Sequence, residues 1–283
     1  MDERIAERES QGETASQVTL WMRQRLESAI ASIESELNTF SIEAQDITTA
    51  GQRKSASIAN TESRSLMRGM YGTNPPKLNW VTLAKEQLDQ FIGTTVNGSP
   101  LSTLFRTIPQ AVINGLRDAI SLGIVTGENP RTTARRIQTV SMLGYNRAET
   151  IARTEIIRTA REVQRELYTK NESVVRYQRM ATQDGRTCLG CLALSGDIYE
   201  TAELMPSHPN CRCVMLPIPA DLTDFSGVDS KTILSGLDEE EQLAIMGPVR
   251  YKRYLEGADL RSMVEVVNDP EWGPLVKVKR LDM

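Results

Sequence analysis

Val174-Val-Arg-Tyr-Gln-Arg-Met-Ala-Thr-Gln-Asp-Gly-Arg-Thr-Cys-Leu-Gly-Cys191, followed after a 16-residue gap by His208-Pro-Asn-Cys-Arg-Cys213, decides how this chain is read. The first residues of the run alternate in the manner of a half-buried strand, and Gln183-Asp-Gly-Arg186 supplies a turn directly before Cys188. Ile198-Tyr199 and Cys213-Val-Met-Leu216 read as short strands on either side of the His-Pro-Asn loop. All 4 cysteines and the 1 histidine of the 283 residues fall in this stretch. Random placement would scatter them, so they are expected to act together.

The spacing is C-x2-C, then H-x2-C-x-C. It offers Cys188, Cys191, His208, Cys211 and Cys213 for the four places around a tetrahedral zinc ion. A C-x-x-C turn brings two sulfurs to one ion from a single loop, and Cys211 and Cys213 share one face of an extended segment. A structural zinc is the preferred expectation, because a small β element with few large side chains gains from a cross-link. Two alternatives stay open: disulfides, for which four cysteines allow three complete pairings, and a reduced cluster without metal. Catalytic zinc fits less well. The zinc deaminases place H-x-E before P-C-x-x-C, whereas here His208 follows the C-x-x-C and Asn210 stands where the glutamate would be.

Outward from the cluster the chain reads as helical. Val18, Met22, Leu26, Ile30, Ile33, Leu37 and Phe40 recur at steps of three and four, the spacing of one helical face over 14–47. Residues 48–68, rich in Ser, Thr, Ala and Arg, read as a linker, and Gly69-Met-Tyr-Gly-Thr-Asn-Pro-Pro76 as a break. Helices are predicted near 80–92 and 101–124, and again over 145–170, with Asn129 and Pro130 able to open a helix. Arg131, Arg135 and Arg136 form the most basic short stretch; a solvated face is preferred there over a phosphate contact. Past Pro217 and Pro219 a second linker and short helices near 229–246, 248–256 and 259–267 are predicted. The expected fold is therefore mainly α with a small β element (α+β): a helical body, a Cys/His-stapled β module and an extended N-terminal helical arm. The domains expected are 1–75 (arm and linker), 80–218 with the module at 173–217, and 219–283 (helical tail).

With 40% hydrophobic and 25% charged residues the chain has enough to build one or two cores. The net charge of -4 argues against a dedicated nucleic-acid binder, since affinity for phosphate backbones comes from clustered Lys and Arg; a weak local DNA contact stays open. No run near 18 apolar residues occurs, and Met1-Asp-Glu-Arg-Ile-Ala-Glu-Arg lacks the apolar stretch of a signal peptide. Cytoplasmic synthesis and no membrane partner are expected.

Ile151-Ala-Arg-Thr-Glu155 on a helix, Asp184-Gly-Arg-Thr-Cys-Leu-Gly-Cys191, Leu194-Ser-Gly196 and His208-Pro-Asn-Cys-Arg-Cys213 together resemble the head-morphogenesis domain of the phage Mu F-like minor head proteins, over about 100–218. The resemblance implies a non-enzymatic minor head protein in the virion of a tailed phage. Its implied partners are the portal and other head proteins, and it would act in procapsid assembly and in DNA packaging or delivery. The apolar N-terminal stripe adds self-association as an expectation. The alternative is a metal-dependent nucleic-acid-processing or toxin enzyme. Thr154 and Glu155 match a paired position of that family, and Glu155 is expected either to be exposed or to pair with Arg186 or Arg212.

Overall fold

A computed structural model describes residues 17–72, 76–126, 129–221 and 227–280. It is mainly α with a small antiparallel sheet, as expected. The helices are α1 (Gln17–Gly69), α2 (Lys85–Asp89), α3 (Ser102–Phe105), α4 (Thr107–Thr126) and α5 (Pro130–Lys170). Then come β1 (Val174–Met180), α6 (Leu189–Ala193), β2 (Ile198–Glu200), β3 (Val214–Pro219), α7 (Ser230–Ser235) and α8 (Glu239–Leu255). A 3-10 turn, Leu260–Met263, leads into β4 (Val264–Asp269) and β5 (Gly273–Val278). Two compact units divide the contacts. One takes the chain through Ile47 with Leu101–Ala152; the other takes Thr48–Pro100 with residues from Arg153 onward.

In the first unit, α3 and α4 bury Leu104, Phe105, Ile108, Val112, Ile113 and Leu116. Asn129 caps α5 as expected, its side chain accepting from the Arg131 N–H at 2.9 Å. Close approach of α4 and α5 depends on glycine: a Cβ on Gly144 would lie 2.7 Å from Val112. Ile33 is 39% exposed on α1, whereas the side chains of Val18, Met22 and Leu26 lie outside the described residues.

The second unit corrects the expected linker at 48–68. That segment continues α1 without a break and buries Thr48, Gln52, Ala56, Ala59, Ser63 and Met67 along one side. The face is made of small and polar residues, so a search for large apolar side chains passes over it. Small residues let helices touch: Ser55 donates to the Ile156 carbonyl at 2.8 Å, and a Cβ on Gly51 would collide with the Ile156 side chain. Asn171 ends α5, its amide donating to the Leu167 carbonyl at 2.7 Å while its oxygen accepts from the Val81 N–H at 2.7 Å.

The sheet has the order β2-β1-β3, with Tyr177 opposite Tyr199 and Gln178 opposite Leu216. Strand β1 does not alternate as predicted. Tyr177, Gln178 and Arg179 are all buried, because α5, the cysteine loops and the 227–228 segment cover both faces. Pro217 and Pro219 sit in β3, an edge strand, where a missing N–H costs no ladder bond. The break expected between 246 and 248 is present, Gly247 standing at φ 71 before Pro248. The helix expected over 259–267 is not: only Leu260–Met263 coils, and Val264 onward pairs with β5 as a hairpin, Val264 opposite Val278. The Val-Glu-Val pattern carries period two, and the partner strand makes it a strand.

Candidate metal centre

Strand β1, helix α5, the two cysteine loops and the C-terminal hairpin position the five donors. Cys188 caps the short helix α6, its sulfur accepting from the Cys191 N–H at 3.3 Å. On the second arm, Asn210 takes a left-handed conformation (φ 62) that turns the chain back, and the Cys211 N–H donates to the His208 carbonyl at 3.0 Å. Helix α5 fixes this turn. Thr154 Oγ1 accepts from the Asn210 N–H at 2.9 Å, and Arg161 Nη2 donates to the carbonyls of Cys211 and Cys213 at 2.9 and 2.7 Å. From the other side β5 pairs with the residue before the histidine: the Ser207 N–H donates to the Pro274 carbonyl and the Val276 N–H to the Ser207 carbonyl, both at 2.9 Å.

The donors converge. His208 Nε2 lies 3.1 Å from Cys188 Sγ and 2.9 Å from Cys191 Sγ, and Cys191 Sγ lies 3.7 Å from Cys211 Sγ. Two triads of ligand atoms result, Cys188–Cys191–His208 and Cys191–Cys211–Cys213, and Cys191 belongs to both. Around a tetrahedral ion with bonds of roughly 2.3 Å, sulfur–sulfur edges are about 3.8 Å, so the Cys191–Cys211 separation already has the right size. His208 Nδ1 lies 2.8 Å from the Pro209 carbonyl; donating there, it leaves Nε2 as the bare nitrogen a metal needs. The cluster can hold a metal ion. All four cysteines are free thiols here, and the donor chemistry fits the expectation that they act as one group.

The surroundings pull two of the four thiols down, Cys188 and Cys211, and push two up, Cys191 and Cys213. Hydrogen bonding from Cys191, with His208 alongside, holds the Cys188 thiol down to about 4. Contacts with Cys191 and Cys213, then the guanidinium groups of Arg161 and Arg179, hold Cys211 well below the usual thiol range, while Cys191, the donor to its neighbours, is raised. Arg179, on β1, is fully buried, with Nη2 3.3 Å from both Cys191 Sγ and Cys213 Sγ and 3.9 Å from Cys211 Sγ. Burial opposes its charge, and the sulfurs of Cys213, Cys211 and Cys191 more than restore it. Sequence reading missed Arg179. The signal was a cation two residues after Tyr177, and so on the same face of β1 as that ring.

Glu155 is fully buried on α5, but its partner is Arg158 (Nε to Oε2, 2.7 Å) and neither Arg186 nor Arg212. Those two arginines pair with Asp184 instead, Arg186 within the loop before Cys188 and Arg212 across the two loops. Desolvation raises the Glu155 carboxyl against the pull of Arg158. With His208, Cys211, Arg161 and Trp272 it lines a cavity of about 40 Å³.

Residues 114–216 match the family model described as Phage Mu protein F like protein. Neither a curated protein nor a solved structure matches the chain. The matched span begins within α4, ends within β3 and includes all five donors, so this part of the chain is a phage Mu F-like head-morphogenesis domain.

Proposed function

We propose that the chain is a minor structural protein of a tailed-phage head, associated with the portal vertex and incorporated during procapsid assembly, with one zinc ion stapling the β module. The observation that carries this reading is the family match, whose span contains the whole five-donor cluster. Zinc suits the set because it takes thiolate and imidazole ligands in tetrahedral geometry; when bound it supplies a cross-link between the loop after β1 and the loop before β3.

A non-enzymatic role is supported by what the neighbouring polar groups do. Thr154 holds Asn210, Arg161 holds two loop carbonyls, and Asp184 holds Arg212. Each fastens one part of the chain to another. The partners proposed are the portal and other head proteins. Ile30, Ile33 and Leu37 of α1 would dock on a portal subunit or on a second copy, and exposed Arg131 and Arg135 would allow local contact with DNA. No helix among the described residues is long and apolar enough to cross a membrane.

Mass analysis of purified procapsids and virions tests the reading. The chain should be present in both, and a Cys191→Ser chain should be made but left out of heads. Heads of normal composition that never contain the chain overturn it.

A further inference from the structure

Five donors surround a centre that needs four, and the buried guanidinium of Arg179 sorts them. Its Nη2 stands within hydrogen-bonding distance of Cys191 and Cys213 and near Cys211, which are the members of the second triad. A cation is therefore already resident among those three sulfurs. Its remaining hydrogen bond goes from Nη1 to the Pro206 carbonyl, and no carboxylate is among its described partners. A buried charge without a counter-charge is costly, so the compensation falls to the sulfurs. A second metal ion there would meet a fixed positive charge a few ångströms away.

We propose that Arg179 acts as the built-in cation of the Cys191–Cys211–Cys213 triad, so that the chain takes a single divalent ion on Cys188, Cys191, His208 and Cys211 and keeps Cys213 outside the coordination sphere, paired with Arg179. The assignment rests on the metal reading above and deepens it. His208 and Cys211 join the sphere on geometry: the imidazole nitrogen touches both sulfurs of the C-x-x-C turn, and Cys211 stands one tetrahedral edge from Cys191. Cys213 belongs elsewhere, since its sulfur lies 3.3 Å from Arg179 Nη2 while that of Cys211 stands off at 3.9 Å, and Cys191 is the sulfur tied to both Cys188 and His208. Arg179 is thus a positioning residue, acting on the metal through the sulfur it withholds.

Cobalt(II) titration of the full chain, followed by its visible spectrum, reads both stoichiometry and the number of thiolates bound. The parent should take one cobalt with a three-thiolate spectrum. Cys213→Ser should reproduce it, whereas Cys211→Ser should lose one thiolate's share of the sulfur-to-cobalt band and bind more weakly. In Arg179→Met the freed Cys213 should take the place of His208 in the sphere and raise that band by one thiolate; Arg179→Lys, which keeps the cation, should match the parent. Adding Cys213→Ser to Arg179→Met should restore the parent spectrum. A Cys213→Ser chain that loses a thiolate while Cys211→Ser does not overturns the assignment, and that pair decides the matter even where Arg179→Met fails to fold. Two cobalt ions per parent chain also overturn it. A folded parent that binds no cobalt rejects the metal reading itself.

Discussion

Asp184 and Arg212 meet through both prongs of the guanidinium, Nη1 to Oδ2 and Nη2 to Oδ1 at 2.7 Å each, which fastens the loop before Cys188 to the loop holding Cys211 and Cys213. Bidentate pairs of this kind fix geometry as well as adding energy. The Arg212 hydrogen bond, with the Arg186 N–H and both nearby cations, holds the Asp184 carboxyl well below the usual carboxylate range.

Asp184→Asn should therefore cost stability at neutral pH. Both side chains are about a third exposed, so solvent screening limits the loss to about 0.5–1 kcal/mol. A carboxyl whose value is depressed on folding contributes fully above its unfolded value and loses that contribution as the pH falls. Urea unfolding of parent and variant should accordingly differ at pH 7 and converge progressively below about pH 4. A difference that persists undiminished into strong acid would assign the effect to packing instead.

Cys191 is the donor shared by both triads, so its loss should be the most damaging among the five. Elemental analysis of protein purified without chelator should give near one zinc for the parent and near none for Cys191→Ser. Limited proteolysis should then open the segment between β2 and β3 first, because two loops lose their common anchor. Full metal retention by the variant would contradict the centre described here.

Val276 is buried, and it covers Gly190 so closely that a Cβ there would lie 3.2 Å away. Its backbone also holds Ser207, next to the histidine. Val276→Asp should destabilise the second unit by about 3 kcal/mol or more, as burial of an unpaired charge does. Zinc should be lost to chelator faster than from the parent, although no donor has changed. Unaltered melting and chelator kinetics would show that the hairpin is dispensable to the site.

The N-terminal stripe offers a further test. Replacing Leu26 and Ile33 with Asp should abolish co-purification with portal or with a second copy, while the cysteine module keeps its melting temperature. Ile33 is accessible for such a contact at 39% exposure. Survival of binding through the double change would make the stripe ordinary helix surface.

Much of the site was legible before any coordinates. The cluster, the strands around it, the cap at Asn129 and the break between 246 and 248 follow from spacing, period and helix-end residues, all of which are local properties of the chain. What stayed hidden depends on distant partners. Residues 48–68 look like a linker because Ala56, Ala59 and Ser63 carry little apolar surface, and only contact with a second helix makes small residues an asset. The hairpin at 264–278 needs its own second strand and the Ser207 loop before its alternation means anything. Arg179 carries no local sign of its burial until three cysteines close over it, and Glu155 could be given a partner by charge alone but not the right one.

The prolines of β3 bear on how the sheet meets other chains. An open sheet edge is a template on which another chain can add a strand, and repeated addition leads to aggregation. Pro217 and Pro219 present no N–H to an incoming strand, and the opposite edge, β2, is only 3 residues long. The three-stranded sheet thereby offers little to an added strand on either side.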